Sequence, residues 1–207
     1  MRIFLLSPAN CSGTRGIRLL DGRDTSPLAE RLRRDGAPIG QVFASLSSLY
    51  FRGKLAYARR FAAPPDPSCP ILAAGVLVIT PNIGLRGADT VVTLAALKAF
   101  ARTDVDAANA AYRRPLLASA RIVAERIGSD CDVVLLGSIA TAKYVDVLLD
   151  VFGARLKFPV DFVGRGDMSR GGLLLRRVDS GDELLYGEVD GAVRHGARPP
   201  RLGPKPF

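Results

Sequence analysis

Asp132-Val133-Val134-Leu135-Leu136-Gly137-Ser138 is the stretch that decides the fold. Four apolar residues in succession leave no polar face, so the run reads as a strand buried on both sides and closed by Gly137-Ser138. A helix is expected next, from about Ala140 to Phe152, with Gly153 just past its end. A strand leaving into a helix, with no tight reversal, is the repeating unit of a parallel sheet, whose neighbours are joined by crossovers of a dozen or more residues.

The same unit recurs outward from this point. Arg2-Ile3-Phe4-Leu5-Leu6 is a short apolar run ended by Ser7-Pro8, and Gly75 to Asn82 encloses a second, Val76-Leu77-Val78-Ile79. Leu116, Leu117, Ala120, Val123, Ala124 and Ile127 form one helical stripe ahead of Asp132, with Pro115 near its start. Ser26-Pro27 has the form of a cap and first helical position, and a helical stretch runs through Val42 to Ala62. Thr93 to Ala101 is also helical. Lys157 to Val163 reads as a fourth strand, placed near an edge because Pro159 cannot donate to a ladder. Leu173–Val178 and Glu183–Val189, joined by Asp179-Ser180-Gly181-Asp182, read as a β-hairpin. The expected class is α/β: a Rossmann-like, three-layer α/β/α sandwich with a mainly parallel sheet of about four strands plus a C-terminal β-hairpin. Residues 1–190 form one domain in this reading, and residues 191–207 a basic, Pro-rich tail.

Composition agrees with a folded domain. The 207 residues are 48% hydrophobic and 24% charged, which excludes intrinsic disorder, and three cysteines exclude a disulfide scaffold. No apolar run approaches the ~20 residues of a membrane span, and Ile3 to Leu6 is shorter than the ~7 residues of a signal-peptide core. The expectation is a cytoplasmic protein with no membrane partner, reduced thiols, and an oligomeric state the sequence leaves open. The net charge of +9 is uneven: residues 1–60 carry 11 Lys and Arg against 4 Asp and Glu. Residues 191–207 add four cations (Arg194, Arg198, Arg201 and Lys205) and no acid. A basic excess gathered in two places fits an anionic partner, and equally a solvated surface in an Arg-rich chain.

Ligands of parallel sheets sit outside the carboxyl ends of the strands, so the strand endings map a site. They are Ser7–Arg15, Thr80–Gly87, Gly137–Lys143 and Gly164–Gly172. Ser7, Asn10, Ser12 and Arg15 bring hydroxyl, amide and guanidinium groups beside Gly13, the chemistry of phosphate or carboxylate recognition. Ser138 and Lys143 open the helix after the third strand, but without the spaced glycines of a Walker loop. In the last loop Asp167 stands between Arg165 and Arg170 and is the candidate acid/base, with both arginines as ligand contacts. Arg52 and Asn82 complete the binding set. Cys11 has no histidine partner, the cysteines lack CxxC spacing, and the single His195 excludes His-dependent triads and multi-histidine metal sites. No metal or cofactor is called for.

The order of motifs resembles a family of small, uncharacterised bacterial α/β proteins. Their first strand ends in a Cys-Ser-Lys-like loop, a Leu-Tyr…Phe-Arg-Lys-Ala…Tyr-Ala helix follows, and the next strand ends in Ser-Ala-Lys-x-Gly-Leu. The matching stretches are Leu6 to Gly13, Leu49-Tyr50-Phe51-Arg52-Gly53-Lys54-Leu55-Ala56-Tyr57-Ala58, and Ile79-Thr80-Pro81-Asn82-Ile83-Gly84-Leu85. That family is similar to a domain of archaeosine synthase and to the uracil-DNA glycosylase-like fold, which implies nucleobase or nucleic-acid modification. Gly13 and Asn82 stand where the family carries lysines. The functional expectation is a small anionic ligand, nucleotide or nucleobase at the strand ends. The alternative is a non-catalytic nucleic-acid-binding module or adaptor using the basic N-terminal helices and tail.

Overall fold

A computed structural model describes residues 1–200 and 202–203. Its centre is a six-stranded sheet in the order β4-β3-β1-β6-β7-β8. In chain order, β1 (Arg2–Leu6) leads to α1 (Thr14–Leu20), α2 (Pro27–Arg34), β2 (Ala37–Pro38), α3 (Ile39–Leu46) and α4 (Ser48–Phe61). Then come β3 (Val76–Thr80), β4 (Gly84–Gly87), β5 (Val91–Val92), α5 (Leu94–Ala101) and α6 (Ala110–Ile127). The chain continues through β6 (Asp132–Leu136), α7 (Ala142–Phe152), β7 (Leu156–Pro159), α8 (Asp167–Ser180) and β8 (Tyr186–Glu188).

The expected strand Asp132–Leu136 lies beside β1 in parallel, with Ile3 opposite Val133 and Leu6 opposite Leu136. β3 flanks β1 on the other side, also in parallel, and β7 is parallel to β6. β1 to β3 therefore steps one way across the sheet, while β6 and β7 build the other way. The order reverses beside β1, the place where parallel sheets open a crevice for ligands. Alternate residues of the strands feed two separate cores. Phe4, Leu6, Val78, Val134 and Leu136 pack with α1 to α5 and α8, whereas Ile3, Leu5, Ile79, Val133 and Leu135 pack with α6 and α7.

Helix boundaries follow the capping residues. The Ser26 hydroxyl accepts from the Ala29 amide at 3.3 Å, and Thr93 accepts from Ala96 at 3.3 Å. α6 begins six residues earlier than its apolar stripe, because Asn109 caps Ala111 at 3.0 Å, and Pro115 lies inside the helix. The helical stretch from Val42 to Ala62 is two helices, α3 and α4, meeting at Ser47.

Three expectations are corrected. The four expected strands form the parallel part of the sheet, but an unexpected strand is added beside β3: Thr80–Gly87 is a tight reversal into the antiparallel β4, in which Thr80 Oγ1 donates to the Gly84 carbonyl at 2.7 Å. β7 is not an edge, since β8 covers it with Pro159 opposite Tyr186. The C-terminal hairpin does not form. Leu173–Val178 belongs to α8, which ends at Gly181 in the left-handed conformation (φ 76°), and β8 pairs with β7 instead. Tyr57 of α4 anchors that approach by accepting from the Leu184 amide at 2.8 Å.

The Gly171-Gly172 pair, read as a loop, lies in α8 because of what it packs against. A Cβ at Gly171 would stand 2.8 Å from the Tyr50 Cα, and one at Gly53 would stand 2.7 Å from the Gly171 carbonyl oxygen. α4 and α8 thus touch backbone to backbone. The C-terminal segment lies against the same region: Leu202 packs on the first core, and the Arg165 guanidinium donates to the Pro200 carbonyl at 3.5 Å. Arg201 and Lys205 of the expected basic tail lie outside the described residues. No helix among the described residues is long and apolar enough to cross a membrane.

Gly171→Ala is expected to destabilise by about 1–3 kcal/mol through overpacking, lowering Tm by roughly 2–4 °C per kcal/mol. Gly172→Ala should be neutral or stabilise by up to ~1 kcal/mol, because its Cβ meets only the ends of two side chains, Leu202 at 3.4 Å and Leu49 at 3.9 Å. Thermal and urea unfolding of the two variants checks the opposite signs.

Candidate functional site

The loops after β1 and β3, the end of α5 and the first turn of α7 line a cleft of about 310 Å³ at the reversal of strand order. Pro8 to Ser12 form one wall, Pro81 and the end of α5 with Thr103 and Asp104 another, and Lys143 with Tyr144 of α7 a third. The Asn10 carboxamide folds the first wall by accepting from the Ser12 amide at 3.0 Å and its hydroxyl at 2.9 Å. α7 starts at this cleft with no side-chain cap from Thr141, which leaves its first amides free to meet a ligand. Burial pushes the Cys11 thiol up to about 12, so it faces the cleft as an unreactive thiol. Burial likewise pushes the Tyr144 phenol up to about 12.

Behind the first wall lies a group that the sequence reading did not select. Lys54 of α4 is 1% exposed, and its ammonium points at the carboxyl end of β1. Nζ donates to the Ser7 carbonyl at 2.6 Å and to Ser7 Oγ at 2.9 Å. The rings of Tyr50 and Phe51 lie 4.4 and 4.8 Å from it. No carboxylate forms an ion pair with it among the described residues, and burial lowers its pKa to about 7 against the pull of Asp167. Arg170 adds a like charge from α8. The Tyr50 hydroxyl is buried in the same region without a hydrogen-bond partner.

The predicted residues fall into four places. Asn10, Ser12 and Lys143 line the cleft; Ser7, 5% exposed, directly precedes its Pro8 wall with its hydroxyl held by Lys54, and Ser138 accepts from the Ala140 amide at 3.3 Å ahead of α7. Asn82 is turned to Thr103, donating at 3.3 Å. Arg15 and Arg52 are exposed on a separate groove with Ser45, which Arg18 extends. The Gly164–Gly172 loop is shorter than expected, because Asp167 starts α8. Asp167 has a side chain 71% exposed and lies 3.7 Å from Arg170. Arg170 is 9% exposed and holds the Phe162 carbonyl through Nε and Nη2 at 3.2 and 3.0 Å. Arg165 holds the Asp161 carbonyl at 3.0 Å and lines a further concavity with Arg198. Among the described residues no cluster of His, Cys, Asp and Glu has the form of a metal site.

A signal for Lys54 was present in the sequence. Tyr50, Phe51, Lys54, Leu55, Tyr57 and Ala58 follow helical spacing, so a lysine occupies an apolar stripe. No family model, curated protein or solved structure gives a significant match to the chain. The class the fold defines is a mostly parallel α/β protein with a strand-end cleft and a buried lysine behind it.

Lys54 loses its proton near pH 7 in the folded protein but near 10.5 in the unfolded chain. Between those values the unfolded chain holds the extra proton, so stability rises with pH there. Relative to Lys54→Met, the wild-type folding constant should grow about tenfold per pH unit from about pH 7 to 9. Urea unfolding across that range checks it, and parallel curves for the two proteins would refute a depressed lysine.

Proposed function

We propose that the protein binds a nucleotide, a nucleobase or another small anionic ligand in the strand-end cleft, and acts in nucleotide or nucleic-acid modification. The observation that carries this reading is the convergence of two strand-end loops at the reversal of strand order, beside the uncapped start of α7 and Lys143. Free amides and a helix dipole favour negative charge there, and Asn10 and Ser12 supply hydrogen-bonding edges. The two cores on alternate strand residues support a three-layer α/β/α arrangement around that cleft.

A second reading has its own observation. Arg15, Arg18 and Arg52 are exposed around one pair of adjoining grooves, with Asp24 the acid beside them. Such a surface suits the phosphates of a nucleic acid, whose binding is salt-dependent because bound counterions are released.

A thermal-shift panel of nucleotides, nucleobases and sugar phosphates separates the two. Under the cleft reading, one anionic member at about 100 times its Kd raises Tm by roughly 5–10 °C. Lys143→Ala and Asn10→Ala weaken that shift, and Arg15→Ala does not. No shift with any member would sink the cleft reading. Oligonucleotide binding lost in Arg15→Ala and Arg52→Ala, and falling steeply with salt, would favour the second.

A further inference from the structure

Ser7 is the last residue of β1's hydrogen-bonded run, its amide donating to the Leu136 carbonyl at 3.2 Å, and it is followed directly by Pro8 and Ala9 of the cleft wall. Its hydroxyl has two partners. It donates to the Leu136 carbonyl at 3.3 Å and accepts from Lys54 Nζ at 2.9 Å. Beside it Gly137 presents bare backbone, and a Cβ there would stand 3.2 Å from Ser7 Oγ. Lys54 is held in place independently by the Ser7 carbonyl. The charged and titratable groups facing it are Tyr50 on its own helix and Asp167 and Arg170 on α8; the strand β1 brings none at this end.

We propose that Ser7 and Lys54 form a serine–lysine catalytic dyad that transfers the acyl group of an ester, thioester or amide ligand seated in the strand-end cleft. The substrate's place rests on the cleft reading above; the dyad's own reactivity does not. A hydroxyl is a poor nucleophile unless a base within hydrogen-bond reach removes its proton as it attacks, and a desolvated amine serves as that base. With Lys54 neutral, the Ser7 hydroxyl turns from the Leu136 carbonyl to the Nζ lone pair. As Oγ adds to the substrate carbonyl carbon, its proton passes to Nζ and the carbonyl π pair moves to oxygen. The tetrahedral adduct collapses, the bond to the leaving group breaks, and the leaving group takes the proton from Nζ. Water then repeats the addition at the acyl-serine ester, giving its proton to Nζ. Collapse releases the carboxylic acid and returns that proton to Oγ. The uncapped amides at the start of α7 would donate to the developing oxyanion.

A fluorophosphonate tests the dyad without knowledge of the substrate, because Oγ displaces fluoride from phosphorus with the same loss of a proton. The full chain is incubated with the probe between pH 5 and 9, and the adduct is located by intact-mass and peptide mass spectrometry. One phosphonyl group is expected, on Ser7, with a rate rising about tenfold per pH unit below pH 7 and level above it. Ser7→Ala abolishes the adduct. Lys54→Met and Lys54→Arg slow it by at least 100-fold while circular dichroism remains that of the wild type. If Lys54→Met does not fold, Lys54→Arg and the wild-type pH profile decide. No adduct on Ser7, or labelling that ignores pH and Lys54, overturns the proposal. Ser7 labelling with no ligand stabilising the protein would uphold the dyad and refute the cleft reading; ligand stabilisation without labelling would do the reverse.

Discussion

The contact on which the arrangement depends is the backbone crossing of α4 and α8 through Gly53 and Gly171. Side chains at either position would hold the helices apart, because interiors are packed with little spare room. With the helices in contact, Tyr50 meets Phe162 edge-on, with ring centroids 6.3 Å apart, and Lys54 is sealed on the floor beneath β1. A charge removed from water is costly unless it is paired or gives up its proton. No carboxylate is in contact with Lys54 among the described residues, so the second course is open to it. The same closeness that makes the core compact makes the lysine a base.

The sheet was the legible part of the fold. Ile3 to Leu6, Val76 to Ile79 and Val133 to Leu136 are continuous apolar runs, and such runs are what strands buried on both faces require. What failed was reading glycine as punctuation. Gly171 marks a place where another backbone arrives, not a loop, and nothing local in Arg170-Gly171-Gly172-Leu173 announces its partners Tyr50 and Gly53 far earlier in the chain. The hairpin failed for a related reason. Leu173, Leu174 and Val178 satisfy alternation poorly and helical spacing well, and Leu184 is placed by distant partners, the Tyr57 hydroxyl and the first core.

Site residues were legible where the rule of strand ends applies. Asn10, Ser12 and Lys143 needed only a strand, its direction and the segment that follows it. Arg170 was not legible, because a charged side chain beside two glycines reads as part of an exposed loop, while its position on α8 faces inward, where it anchors the Phe162 carbonyl. Lys54 was hidden by the opposite assumption, that a lysine on an apolar stripe bends outward to water. The uneven charge of the sequence also has a new meaning. The exposed arginines of α1 and α4 form a surface of their own, apart from the buried cation that the strand-end reading passed over.

The outer strands have a consequence for how the molecule meets copies of itself. A parallel sheet left open offers a row of unpaired amides and carbonyls to any passing strand. Here the outermost strands are four and three residues long and run against the direction of their neighbours. A second copy finds almost no template on which to extend the sheet, so crowding should concentrate the protein without seeding fibrils from its native edges.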